Sequence, residues 1–337
     1  MRNHDKIERL IALIILDIIV LVLVVVLSNF TYAQENPELH QKTLYYLYEK
    51  HITSKQNAHI TVGTRPRAIG VDEITRRIYV ANAFNNTVSV IDGQNNTKIG
   101  KDIPVGRHPA AIAVDGTTNR IYVANAFNNT VSVIDGQNNT KIAKDIPVGR
   151  VPSAIGVDDE TNRIYVANYD EKTVSVIDGQ NNTKIGDIPV GNEPSAIGVD
   201  ETTHRIYVAN SVNNTVSVID GQNNTKIAKD IPVGRVPSAI AVDGTTYTIY
   251  VANAFNNIVS VIDGNTNRNI KNITVGQNPR AIAFSMYRIY VANYDDKTVS
   301  VIDGQNNTKI GDIPVGRHPL AIAVDGTTNT TYVGLKI

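Results

Sequence analysis

From residue 66 onward the chain alternates short β-branched and apolar runs with clusters of Gly, Pro, Asn and Asp, the pattern of strands joined by tight turns. In the first full unit, Ala68-Ile69-Gly70-Val71-Asp72 sets Ile69 and Val71 on one face with small residues opposite. Ile78-Tyr79-Val80-Ala81-Asn82 predicts a second strand with Ile78 and Val80 on one face, and Val88-Ser89-Val90-Ile91-Asp92 a third. After Gly93-Gln94-Asn95-Asn96, a fourth ends at Ile103-Pro104-Val105-Gly106. Proline lacks the N–H a ladder needs, so this fourth strand belongs at a sheet edge.

The unit repeats. I-Y-V-A-N recurs with its tyrosine at Tyr79, Tyr122, Tyr165, Tyr207, Tyr250 and Tyr290, followed by a degenerate copy at Tyr332. The spacings of 43, 43, 42, 43, 40 and 42 residues fall where four-stranded propeller blades repeat. Ordering one unit costs more than its own few aliphatic side chains return, so neighbouring units must supply burial. First strands begin at Pro66, Pro109, Pro152, Pro194, Pro237, Pro279 and Pro319. The expected fold is therefore all-β, a seven-bladed β-propeller of four-stranded blades over residues 58–337. Only six V-S-V-I-D strands follow, so the outer strands of the last blade are expected from the N-terminal side, at Thr43–Tyr48 and Ala58–Gly63.

Ahead of the repeats, Arg2, Lys6 and Arg9 precede an apolar run from Leu10 to Leu27 broken only by Asp17, and Thr31-Tyr32-Ala33 offers small residues at peptidase-read positions. Residues 1–33 thus read as a helical signal peptide or membrane anchor, with 34–57 as an N-terminal segment carrying the closing strand 43–48. Either reading places the repeats outside the cytoplasm, secreted or held at the cell surface, touching a membrane only through the N-terminal segment if it is uncleaved.

With 32 basic and 32 acidic residues there is no field of one sign to draw the chain onto nucleic acid, which is not an expected partner. The absence of cysteine removes disulfides, thiolate nucleophiles and Cys-based metal or haem sites. No cofactor is expected.

The succession I-Y-V-A-N, N-N-T-V-S-V-I-D-G and I-P-V-G-x-x-P resembles the YVTN family of β-propeller repeats, with Ala81, Ala124, Ala167, Ala209, Ala252 and Ala292 where that family has threonine. The resemblance implies a seven-bladed propeller of the kind seen in surface-layer and other envelope proteins, notably of archaea. It implies no reaction, although related propellers include lyases and lactonases.

Loops leading into each first strand share a face with those joining second and third strands. That face is expected to present Arg65, Arg107, Arg150, Arg235 and Arg317 with His108 and His318, together with Asn82, Asn125, Asn168, Asn210, Asn253 and Asn293. Arginine takes planar anions through paired hydrogen bonds, so the face suits acidic glycans, carboxylates or envelope proteins. The opposite face carries Asp-Gly turns, but no D-x-D-x-D-G loop occurs, so these read as turn chemistry rather than a metal site. None of the seven histidines has metal-ligand spacing, and the carboxylates Asp158-Asp159-Glu160 and Asp295-Asp296 sit in turns. The expectation is a non-enzymatic binding or structural scaffold. The alternative is a lyase or lactonase using His108 and Glu193 at the channel mouth. Sequons at Asn85, Asn95, Asn128, Asn138, Asn181, Asn213, Asn223, Asn272, Asn306 and Asn329 make a glycoprotein an expectation for an exported chain.

Overall fold

The first six repeats fold as the hydrophobic alternation requires, into four antiparallel strands joined mostly by four-residue turns. In the first blade these are Pro66–Asp72, Arg77–Asn82, Thr87–Asp92 and Thr97–Pro104, hydrogen-bonded in chain order. The computed structural model describes residues 59–142, 144–227 and 229–335. Among them there is no helix, and so none long and apolar enough to cross a membrane.

The asparagine-rich turns have a backbone cause. Their last residue lies in the left-handed region, as at Asn86 (φ 59°), Asn96 (56°) and Asn119 (53°), which asparagine tolerates better than most side chains. Proline at the end of the fourth strand, such as Pro104 or Pro189, sits at an outer edge as expected. In the second and fourth blades this strand is split, into Thr140–Lys141 with Ile146–Pro147 and Thr225–Lys226 with Ile231–Pro232.

The hydrophobic pattern is consumed between blades. Tyr122, Ala124, Val131 and Val133 of the second blade pack on Ile155, Val157, Ile164, Val166 and Ile177 of the third, and the arrangement recurs around the ring. Alternate residues of I-Y-V-A-N thus serve opposite neighbours. Small residues make room for this: a Cβ on Gly70 would lie 2.4 Å from Ile112 Cγ2 of the next blade. On one face the blades are also stapled, since Tyr165 Oη donates to Asn224 Oδ1 (3.2 Å) and the Arg120 guanidinium donates to Gly179 O.

One expectation is corrected here. The structure is a six-bladed propeller of four-stranded blades, not a seven-bladed one, and the seventh repeat gives only a two-stranded sheet, Pro319–Asp325 with Thr330–Leu335, among the described residues. That sheet lies between the sixth and first blades. Tyr332 Oη reaches Asn96 Oδ1 at 3.5 Å, and Gly326 N–H donates to Glu73 Oε1 at 2.9 Å. Of the outer strands expected from the N-terminal side, Thr43–Tyr48 lies outside the described residues, as does the expected signal or anchor helix. Ile60 and Val62 do pack against Ile78, Val80 and Ile91, but His59–Val62 forms no strand. With no third strand beside it among the described residues, this segment has no ladder to join.

Candidate functional site: the upper face and the two mouths of the ring

The upper face is defined by the loops preceding each first strand and by those joining second to third strands, which bond to each other. Ala126 N–H donates to His108 O (3.0 Å), and His108 N–H to Asn86 Oδ1 of the preceding blade (2.8 Å). All seven basic residues predicted for this face lie in those loops. Arg65, however, is the residue before Pro66 and so matches His108, while Thr64 holds the place of Arg107. Arg107, Arg150, Arg235 and Arg317 are exposed; the charge of Arg150 is offset by Asp170 at 3.0 Å.

The predicted asparagine row is not part of the surface. Asn82, Asn125, Asn168, Asn210, Asn253 and Asn293 are all fully buried. Each joins a cross-strand chain: Asn125 Nδ2 donates to Ser132 Oγ (2.9 Å), which donates to Asp145 Oδ1 (2.7 Å), which pairs with Lys141 Nζ (2.6 Å). The serine within V-S-V-I-D is there to carry this chain through an apolar strand.

What the face does present, and sequence reasoning missed, is aromatic. Phe84, Phe127 and Phe255 are 59%, 62% and 70% exposed, at the tip of A-F-N-N. Each is coupled to a basic residue: Arg65 lies over Phe84 at 4.8 Å, His108 stacks on Phe127 at 4.4 Å, and Arg235 lies over Phe255 at 5.8 Å. Where Tyr169 and Tyr294 replace the alanine, Tyr294 stacks on His318 (4.5 Å) and Tyr169 Oη donates to Glu193 Oε2 (2.5 Å). That bond to Glu193, with burial, pushes the Tyr169 phenol up to about 12. The signal was the recurrence of exposed Phe in a loop that turn chemistry alone would leave polar.

Propeller blades surround a central channel, and its upper mouth is lined at the residue following each loop proline. Ser153, Ser195 and Ser238 there donate to the carbonyls of Pro194, Pro237 and Pro279 in the next first strand (2.6, 2.7 and 2.7 Å). The equivalent residues of the first and sixth blades are Arg67 and Arg280, a second signal that the repeat carried and that comparison by position would reveal. Part of the Arg67 surface reaches solvent, yet crowding by surrounding protein, with the charges of Arg65 and Arg280, holds its pKa below the usual arginine value. Burial and then Arg67 and Arg65 likewise depress His108.

The lower mouth is acidic. Asp158 is fully buried and accepts from His204 Nδ1 (2.9 Å), whose Nε2 lies 3.6 Å from Glu160 Oε2. Asp159, accepting from Gly116 N–H (3.0 Å), is raised from 3.8 to about 6 by burial and by Asp115. Glu201 is raised to about 7, by burial and then by Asp159, Asp158, Glu160 and Asp115. The turn carrying Asp158, Asp159 and Glu160 thus differs from its counterparts in the other blades, setting carboxyls beside an imidazole. The pair proposed from sequence, His108 and Glu193, occupies equivalent upper-loop positions of different blades, and the two side chains have different partners: His108 stacks on Phe127, and Glu193 accepts from Tyr169 and Ser211. Among the described residues no three His, Asp or Glu side chains converge in a metal-holding group.

The sequons divide by geometry. On the upper face Asn85, Asn128 and Asn213 use their carbonyl oxygens to accept backbone N–H groups of Thr64, Arg107 and Asn192. On the lower face the Nδ2 groups of Asn95, Asn138, Asn181, Asn223 and Asn306 donate to the aspartate three residues before. Asn272 stands on an outer strand, accepting from Ser260, and Asn329 closes a lower turn with φ 52°.

Blades of axial, antiparallel four-stranded sheets around two chemically different mouths define a β-propeller. Among solved structures, one from Kuenenia stuttgartiensis hydrazine synthase is similar, with a TM-score of 0.70 and 18% identity over 84% of this chain and 98% of that one. The sequence matches no family model and no curated protein. At this identity the likeness establishes the fold alone. It nonetheless corrects the expectation of a non-enzyme, because a propeller chain of this build occurs within an enzyme and the fold is no ground for excluding catalysis.

Proposed function

We propose that the protein is an extracytoplasmic propeller of the cell surface that binds acidic glycans or similar carboxylate-bearing ligands on its upper face. The observation that carries this reading is the recurrence of an exposed phenyl ring beside a basic side chain at Phe84 with Arg65, Phe127 with His108, and Phe255 with Arg235. A flat apolar ring receives the C–H face of a sugar, and an adjacent guanidinium pairs with its carboxylate. Arg107 and Arg317 add exposed charge around the same face. The exported location rests on the basic-then-apolar N-terminus, and the resemblance of the repeat to YVTN propellers of archaeal surface layers supports it. Exposed aromatics with arginine also have the composition of protein-binding hot spots, so an envelope protein is the second partner class for the same surface. A glycan array tests the reading. The parent should retain acidic sugars, and the triple variant Phe84→Ala, Phe127→Ala, Phe255→Ala should lose them while keeping its fold; identical binding by the two would remove this face from the account.

A second reading has its own observation, the Asp158–His204–Glu160 constellation with raised carboxyls beside it. A buried carboxylate orienting an imidazole next to a partly protonated acid suits general acid–base chemistry on a lactone or uronate. Turnover of such substrates by the parent and its loss in His204→Gln would support that site; no turnover would dismiss it.

A further inference from the structure

Among the described residues, the upper mouth holds positive charge with no carboxylate paired to it. Arg67 and Arg280 stand at the same position of the first strands of the first and sixth blades, with Leu320 of the two-stranded sheet at that position between them. The other blades carry Ala110, Ser153, Ser195 and Ser238 there. Several arginines elsewhere are occupied: Arg150 and Arg288 pair with Asp170 and Asp303, and Arg77, Arg120 and Arg205 donate to turn carbonyls. Among the described residues no carboxylate lies within ion-pair distance of Arg65, Arg67 or Arg280, and the Nε of Arg65 is buried without an acceptor. Arg280 lies over the Tyr294 ring at 5.9 Å.

We infer that Arg67 and Arg280, with Arg65 beside them, form an anion subsite at the upper mouth that receives the oxyanion end of a ligand, a carboxylate or a phosphoryl group. Converging like charges cost free energy unless a counter-charge occupies the space between them, and guanidinium groups satisfy planar or tetrahedral oxyanions two bonds at a time. Around the rest of the mouth, neighbouring first strands are tied by the bonds of Ser153, Ser195 and Ser238 to the carbonyls of Pro194, Pro237 and Pro279. The subsite deepens the upper-face reading by placing a ligand's acidic end inward and its apolar surface on the phenyl rings, but it stands on separate residues.

Titration calorimetry and thermal unfolding of the full chain, with inorganic phosphate and with malonate at constant ionic strength, test it. The parent should bind at least one of the two saturably and unfold at higher temperature in its presence; the preferred anion distinguishes a phosphoryl from a carboxylate ligand. Arg67→Gln and Arg280→Gln should each weaken binding roughly 10- to 100-fold, the loss of one charge-assisted contact. Each should also raise the unfolding temperature without anion, by relieving repulsion. Lys101→Gln, on an outer strand, should change neither. Arg280→Lys, which keeps the charge and loses the fork, covers the case of a glutamine variant that fails to fold and should bind more weakly than the parent. Saturable phosphate binding that depends on Arg67 would uphold the subsite even if no glycan bound the face. No saturable binding of either anion, or undiminished binding in the Arg67 and Arg280 variants, would overturn it.

Discussion

Replacing Asp159 by asparagine should stabilise the protein, and only above acidic pH. The Asp159 carboxyl is half-buried at the lower mouth, and its oxygen accepts from the Gly116 N–H at 3.0 Å. Burial and the Asp115 and Asp158 carboxylates raise it from 3.8 to about 6, against the opposing amides of Gly116 and Thr117. At about 1.4 kcal/mol per pH unit that rise corresponds to roughly 3 kcal/mol, an upper bound because solvent reaches part of the group. A carboxyl whose folded pKa is raised favours the fold fully below its unfolded pKa, and that contribution is lost as pH climbs through the folded value. Asparagine keeps the acceptor oxygen and never ionises. Asp159→Asn and parent should therefore be about equal near pH 4, diverge to about pH 6, and differ by about 1–3 kcal/mol in the variant's favour from pH 7 to 8. Removing this charge should also let Glu201 ionise at lower pH, since Asp159 stands next after burial among the causes that raise it. Urea unfolding across that pH range measures the difference. A variant less stable than the parent at pH 8, or an offset independent of pH, would refute the reasoning.

Ser132→Ala should cost about 1–3 kcal/mol, because it removes the acceptor of Asn125 Nδ2 and the donor to Asp145 inside the second blade, a loss readable in urea midpoints. A Cβ on Gly149 would fall 2.4 Å from the buried Asn168 Cγ, whereas one on Gly186 meets nothing within 4 Å. Gly149→Ala should therefore lower the unfolding temperature and Gly186→Ala leave it unchanged or slightly raised. If the exported protein is glycosylated, glycopeptide mass analysis should find sugar on Asn85, Asn128 and Asn213 before the lower-face sequons, where the amide nitrogen is held by aspartate. Preferential occupancy of Asn95 and Asn138 would contradict that order.

Strand boundaries were legible because the pattern is local: β-branched alternation, Asp-Gly turns and edge prolines act within a few residues of themselves. The completion of the last repeat was not, since Ile60 and Val62 match the fourth-strand pattern yet need a third strand's ladder to become a strand. Sequence pattern also could not tell Asn125 from Asn128. They are three residues apart, but Asn125 ends a strand, buried by the pleat and spent on Ser132, and Asn128 lies within the following turn at the surface. The loop placement of the basic residues was legible because each stands one or two positions before the proline that opens a first strand. The aromatic partners recur in three copies of A-F-N-N, but a phenylalanine in a turn does not by itself declare its exposure or its basic neighbour; the arginines at the mouth are departures within copies that otherwise agree, and such departures show only when the blades are superposed.

The account turns on which surface meets the ligand, and hydrogen exchange of the full chain with and without an acidic oligouronate measures that directly. Slowed exchange should appear in the upper loops, at Arg65–Arg67, Phe84–Asn86, Arg107–His108 and Phe127–Asn129. The turns Gly93–Asn96 and Gly136–Asn139 on the lower face should be unaffected. Protection confined to the lower turns, or none at ligand concentrations that saturate binding, would contradict the upper face as the binding surface.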